Sequence, residues 1–371
     1  MKISLERSHL LKALAHVQRV VEKRNTYPIL SNVLIQTGEG EILMRATDLD
    51  IEITENVPAS IQSPGSTTVP AHKLYEIVRK LSDGSEVRLD TEGSDGEMSL
   101  ASGRARFKLA CLSPETFPDL KSGSFPSNFR MQAALLKDML DRTAFAASTE
   151  ETRYYLNGVF FHTLEGQEPM LRAVATDGHR LARCAVAAPD GTVRMPDIIV
   201  PRKTVSELQK LLDGLDAEIS VEVSDTKIRV DLGGIVLLSK LIEGTFPDYE
   251  RVTPRHNELR LLVDRQDFQV AVDRVSTIAS DRGGKAVKLS AADGVLVLSV
   301  NNPDHGAAVE EIQADFEGSF EVAFNARYLM DIVSQVRAEQ VEFMFGEATS
   351  PALVRDGADE NTVYVLMPMR A

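Results

Sequence analysis

The sequence predicts one α+β domain repeated three times, each copy carrying two helices on antiparallel sheet. Three observations carry that prediction. Short motifs recur at domain-sized offsets: Ala46-Thr47-Asp48 returns as Ala175-Thr176-Asp177, and Phe117-Pro118-Asp119-Leu120 as Phe246-Pro247-Asp248-Tyr249, both displaced by 129 residues. Val69-Pro70 returns as Val200-Pro201, displaced by 131. Solenoid repeats run at about 20–50 residues, whereas a spacing near 129 means whole domains that bury their own cores. The second observation is a pair of amphipathic stretches in every copy, and the third is a closing hairpin of alternating apolar and polar residues.

The first helix of copy one is expected over Ser8 to Lys23, because Leu10, Leu14, Val17 and Val21 fall on one face at helical spacing. Leu135, Leu136, Met139 and Leu140 mark it in copy two, and Phe268, Val272 and Val275 in copy three. Strands follow at 29–35 and at Val159-Phe160-Phe161-His162. In copy three, 287–289 and 295–300 alternate around Ala292-Asp293-Gly294, which reads as a hairpin turn.

The second helix is expected over 71–81, 202–212 and 326–336. Its apolar face repeats three times: Leu74, Ile77, Val78 and Leu81 match Val205, Leu208, Gln209 and Leu212, then Leu329, Ile332, Val333 and Val336. Pro70 and Pro201 stand just before it, a helix-start signal. Hairpins close the copies at 86–90 with 97–100, and at 219–223 with 228–232. Strict alternation there buries one sheet face and wets the other. Ser- and Pro-rich joints at 122–127 and 253–257 place the boundaries, giving domains 1–126, 127–255 and 256–371.

Composition is that of an ordinary globular chain, 43% hydrophobic and 26% charged. No apolar run approaches a membrane span, and the charged start Met1 to Arg7 lacks the apolar core of a signal peptide. The expected compartment is the cytoplasm. Cys111 and Cys184 sit in different copies without metal-ligand spacing and read as free thiols.

A net charge of −14 argues, taken alone, against a nucleic-acid partner. Its distribution reverses the argument. The helical stretches 8–24, 69–81 and 200–212 carry net +3, +2 and +2, while the other three sum to zero, so everything outside the helices sums to −21. If those helices share a face, it is a phosphate-facing surface on an acidic body.

No reaction is legible. His179 beside Asp177 lacks a nucleophile motif, and the seven histidines lack metal spacing. Asp48, Asp50 and Glu52 alternate along an expected strand and could imitate a two-metal nuclease site, but copy two has Asp177, His179 and Leu181 there. Gly284-Lys285-Ala286 lacks the rest of a phosphate loop. No catalytic residue, metal or cofactor is assigned. A nuclease or hydrolase and a plain multi-domain scaffold remain the competing readings.

Four local sequences resemble one family. Arg153-Tyr154-Tyr155-Leu156-Asn157-Gly158, Ala175-Thr176-Asp177-Gly178-His179-Arg180-Leu181, Phe246-Pro247-Asp248-Tyr249 and the ending Tyr364-Val365-Leu366-Met367-Pro368-Met369-Arg370 are similar to the bacterial DNA polymerase III beta subunit, the sliding clamp. The resemblance spans the chain and implies a DNA clamp fold: a head-to-tail homodimer whose six domains form a ring around duplex DNA, helices inward and sheets outward. It implies a non-enzymatic processivity factor that holds DNA without reading sequence. The implied partners are double-stranded DNA, the replicative polymerase, a clamp loader and other proteins with a clamp-binding motif.

The resemblance also implies site residues. A client-peptide pocket between the second and third domains would be lined by Arg153, Leu156, Thr176, Gly178, His179, Arg180, Leu181, Pro247, Arg251, Val252, Asn325, Tyr328, Val365, Met367, Pro368, Met369 and Arg370. Apolar walls with a few polar groups suit a peptide site, and thioethers repack around varied partners. DNA contacts would fall to Arg24, Tyr154, Tyr155, Arg202 and Lys203. The ring interface would set Lys73, Phe107 and Leu109 against Ile278, Glu310 and Glu311. Three positions depart from the family pattern. His72 and Glu150 lower the positive field and predict weaker DNA contact, and the small Ala279 predicts a less stable ring.

Overall fold

The computed structural model describes residues 1–23, 25–93, 96–120, 123–279 and 286–369. Every strand pairing among them is antiparallel. Among the described residues six α-helices recur in the repeat order: α1 (Arg7–Val17), α2 (Ala71–Arg79), α3 (Ala133–Ala144), α4 (Arg202–Leu211), α5 (Arg265–Ser276) and α6 (Ala326–Val333). Leu10, Leu14 and Val17 of α1 are fully buried, as are Phe268 and Val272 of α5 and Leu329 and Val333 of α6. The apolar spacing that predicts these helices is therefore the face they bury.

Helix ends and one strand differ from the sequence expectation. α1 stops at Val17, and Gln18 to Val21 continue as turns, with Arg19 N on His16 O and Val21 N on Gln18 O. Such i→i+3 bonds tighten a helix end, and the β-branched pair Val20-Val21 does not favour prolonging it. The strand expected at 29–35 begins at Asn32, because Pro28 opens a 3-10 turn over Pro28–Ser31. Asp48 and Asp50 lie in a turn, not on a strand; only Glu52 is in the strand Ile51–Pro58.

The described residues form two compact units: one contains 1–135, 189–196 and 206–241, the other 136–188, 197–205 and 242–371. The first holds a five-stranded sheet and an eight-stranded sheet. The eight-stranded sheet runs from the first repeat into the second, since Ile51–Pro58 pairs with Ile235–Lys240 through Ile53↔Leu237. The second unit holds a twelve-stranded sheet. There Arg180–Ala187 of the second repeat pairs with Asp359–Leu366 of the third, with Leu181 opposite Val365. The second repeat thus lends strands to both units. The Asp293-Gly294 hairpin turn has both residues at positive φ, 49° and 82°, as a two-residue turn between twisted strands requires.

Candidate functional site

A turn at Thr176 to Arg180 organises an apolar cavity. Thr176 Oγ1 donates to Arg180 O at 2.7 Å and accepts from Gly178 N at 3.1 Å. Asp177 Oδ1 accepts from His179 N at 2.9 Å and from Arg180 N at 3.0 Å. Gly178 has φ +88°, the left-handed region that a side chain resists. A Cβ there would stand 2.7 Å from Nη1 of Arg153, so the glycine also makes room for that guanidinium. Met367 N donates to His179 O at 2.9 Å, which brings the chain beyond the C-terminal strand against the turn.

The cavity beside this turn has a volume of about 310 Å³. Leu156, Leu181, Val365, Pro247 and Met367 give it apolar walls, and Tyr155, Tyr249 and Val252 complete them. Leu156, Leu181, Tyr249 and Val365 also belong to a buried cluster with Val174, Ile199, Phe246, Leu353 and Val363, so the floor is the outer surface of a core. The volume and lining suit a few apolar side chains of a ligand.

Behind the wall lies a polar network. The Tyr249 hydroxyl accepts from Arg172 Nη1 at 2.8 Å and shares a 2.8 Å hydrogen bond with His162 Nε2. Burial holds the His162 pKa below its ordinary value and raises that of Tyr249. A neutral imidazole accepting the Tyr249 proton therefore suits both His162 and the Tyr249 hydroxyl, which in turn accepts from Arg172. Glu250 Oε1 takes Arg172 at 2.6 Å and Arg183 at 3.4 Å. Phe160 stacks between His162 and Phe246, with ring centroids 5.0 Å and 4.7 Å away.

Of the residues that the resemblance implies for a peptide pocket, Arg153, Leu156, Thr176, Gly178, Arg180, Leu181, Pro247, Val252, Val365 and Met367 line this cavity. Its wall also takes in Tyr155, Asp248 and Tyr249. Sequence reasoning left out Asp248 and Tyr249, although they sit inside the repeated Phe-Pro-Asp motif.

His179, Arg251, Asn325, Tyr328, Pro368 and Met369 stand outside that wall. The His179 ring stacks on Tyr328 at 6.4 Å, and Arg251 pairs with Asp248 at 2.8 Å. Asn325 caps α6 by accepting from Arg327 N at 2.9 Å, and Met369 N bonds Ala323 O at 2.7 Å. Arg180 is buried and each of its three nitrogens is engaged: its fork reaches Asp177 at 3.1 Å, Asp331 at 2.5 Å and Phe145 O at 2.6 Å, with the Tyr328 ring 4.4 Å from its carbon. It is a brace of the site. Arg370 and Arg24 lie outside the described residues, as do Gly284 and Lys285.

The other groups are dispersed. Tyr154 is 55% exposed and meets the Tyr155 ring edge-on at 5.8 Å. Arg202 reaches Ser148 O at 3.4 Å, and Lys203 is engaged in a contact of its own. His72 ties α2 to the turn after α1, with Nδ1 2.7 Å from Gln18 Oε1 and Nε2 2.9 Å from Val21 O. Lys73 pairs with Glu76 at 2.8 Å, and Glu310 with Arg274 at 2.8 Å. Ile278 and Leu109 are partly buried, Ala279 is buried, and Phe107 and Glu311 are exposed. Among the described residues no group of three or more His, Cys, Asp or Glu side chains could hold a metal ion.

Comparison with known proteins decides the family. Three domain families match in order: DNA polymerase III beta subunit, N-terminal domain, over residues 1–121; its central domain over 130–248; and its C-terminal domain over 250–370. The chain belongs to the DNA polymerase III beta-subunit family. It is similar to the beta sliding clamp of Caulobacter vibrioides, 48% identical over 372 residues and covering 100% of both chains. It is similar also to that of Escherichia coli K12, 37% identical over 374 residues with 100% of both covered. A solved structure of a sliding clamp from Bartonella birtlesii, bound to griselimycin, superposes with a TM-score of 0.97 at 51% identity, covering 100% of both chains. The fold is thus the three-domain clamp fold. The function is that of a sliding clamp, the non-catalytic processivity subunit of DNA polymerase III, which encircles DNA and binds polymerase. No helix among the described residues is long and apolar enough to cross a membrane.

Proposed function

We propose that the cavity at Thr176 to Arg180 is where this clamp takes the peptide motifs of its clients: the replicative polymerase, the clamp loader and other DNA enzymes. The observation that carries this is an apolar, core-backed cavity lined, among the described residues, by one surface-accessible guanidinium, that of Arg153. Leu and Phe side chains of a client enter the apolar space, and backbone and side-chain polar groups at the rim fix direction. Fluorescence titration with a Gln-Leu-x-Leu-Phe-type peptide tests it. Saturable binding is expected for the intact chain and its loss for a chain truncated before Met367; absence of binding to the intact, folded protein overturns the assignment.

Two copies close head to tail into a six-domain ring with domains 1–126, 127–255 and 256–371, working in the cytoplasm. Two open strand edges support this. Ala105–Ala110 ends the five-stranded sheet, paired only with Glu97–Ser102 among the described residues, and Phe107 on it is 38% exposed. Gly306–Asp315 pairs along its length with Val295–Asn302, but with Leu259–Asp264 only at Ala314 and Asp315. Its free stretch carries Val309, 66% exposed. Exposed edges are templates for strand addition, and a heterologous contact that closes after a fixed rotation makes a ring. Arg104 and Arg106 beside one edge complement Glu310 and Glu311 on the other. Ile278→Arg should yield folded monomers by light scattering; a persisting dimer would contradict the interface. Duplex DNA is held through phosphates by Arg24, Tyr154, Tyr155, Arg202 and Lys203.

A further inference from the structure

Among the described residues two guanidinium groups line the cavity, and they are held very differently. Arg180 is 8% exposed, with its donors committed to Asp177, Asp331 and Phe145 O. Arg153 stays at the surface, its side chain 35% exposed, and both Nε and Nη2 lie 2.8 Å from one oxygen, Oε2 of Glu150. Its Nη1 occupies space that a side chain at residue 178 would need, 2.7 Å from where a Cβ on Gly178 would stand.

The other rim carboxylates are occupied: Asp248 pairs with Arg251 at 2.8 Å, and Asp177 serves Arg180 and two backbone amides. Glu150 is fixed by its own backbone, with its N on Ser148 Oγ at 3.1 Å and its carbonyl accepting Asn157 Nδ2 at 3.1 Å. The carboxylate therefore sits beside Arg153 before any ligand arrives. A pair this exposed is weak and screened by salt, so another carboxylate can exchange with it cheaply.

We propose that Glu150 is a specificity-determining residue of the cavity: by occupying Arg153 it weakens binding of client segments that carry a carboxylate beside their apolar anchors. Such clients bind by taking the Arg153 guanidinium from Glu150. Neutral segments gain nothing from the exchange, so the rim discriminates by charge while the walls bind by shape. This rests on the client-pocket reading above.

The test uses the full-length chain and matched Gln-Leu-x-Leu-Phe-type peptides differing only by Asp or Asn, at x and directly after Phe. In Glu150→Gln, affinity for at least one Asp peptide should rise about threefold relative to its Asn partner, the size an exposed ion pair carries. That gain should fade at about 0.5 M salt and be absent in Glu150→Gln combined with Arg153→Gln. Unchanged Asp-to-Asn ratios in Glu150→Gln, with all peptides still binding, overturn the proposal and leave the pocket standing. No binding of any peptide to the unaltered chain overturns the pocket itself.

Discussion

The turn at 47–51 in the first repeat and the turn at 176–180 in the second share their internal hydrogen bonds and differ in what surrounds them. Thr47 Oγ1 donates to Ile51 O at 2.8 Å and accepts from Leu49 N at 3.0 Å; Asp48 Oδ1 accepts from Asp50 N at 2.9 Å and Ile51 N at 2.8 Å. These match the bonds of Thr176 and Asp177 one for one. Even the abutting strand corresponds, because Lys240 N donates to Asp50 O at 2.9 Å where Met367 N donates to His179 O. The substitutions within this common frame set the two surroundings apart. Gly178 leaves room for Arg153, whereas Leu49 stands at φ +80° and 38% exposed. Met367 offers a thioether where Lys240 pairs with Asp50 at 3.0 Å. Arg180 braces the second turn with charge; its counterpart Ile51 is simply buried. The two repeats share a scaffold, and a few side chains shape the cavity in the second.

The largest effect on this comparison should come from Arg180→Ala. It strands Asp177 and Asp331 beside a void, and removing one partner of a buried pair costs about 3–5 kcal/mol; urea unfolding of the variant measures it. Next is Gly178→Leu, which makes the second turn resemble the first. Left-handed backbone strain should cost about 1–2 kcal/mol, and the displaced Arg153 should lower client-peptide affinity by about tenfold or more. An unaltered titration curve would mean that the glycine is incidental.

The reverse change, Leu49→Gly, should stabilise the chain by about 0.5–1 kcal/mol, since relief of strain exceeds the entropy that glycine costs; a lowered melting temperature would break the analogy. The smallest effect concerns His162. Its folded pKa lies below the unfolded value, so the unfolded state binds more protons as pH falls through about 6.5. Stability is then full above that pH and declines below it. His162→Gln should flatten this decline in thermal melts between about pH 7.5 and 5.5.

Much of this was legible in the sequence. Repeated motifs and apolar spacing foretold six helices and the closing hairpins of the first two copies, because helix faces and strand alternation are local patterns. Helix ends were not, since the turns after α1 answer to His72, far along the chain. The cavity residues came from resemblance, and the miss at Tyr249 shows why. Its hydroxyl is claimed by His162 and Arg172, a distant pairing that no local spacing encodes. Charge counting along helices likewise overstated the open cations, as Lys73 and Lys210 are held by Glu76 and Glu207 at 2.8 and 2.7 Å.

The cavity draws its walls from segments far apart in the chain, ending with Val365 and Met367. A ribosome must synthesise everything through Met367 before the last wall can be laid against His179. A nascent chain that has not yet reached Met367 therefore holds only part of those walls. On the client-pocket proposal, recruitment to this site waits until the third repeat has been made and its strand has docked.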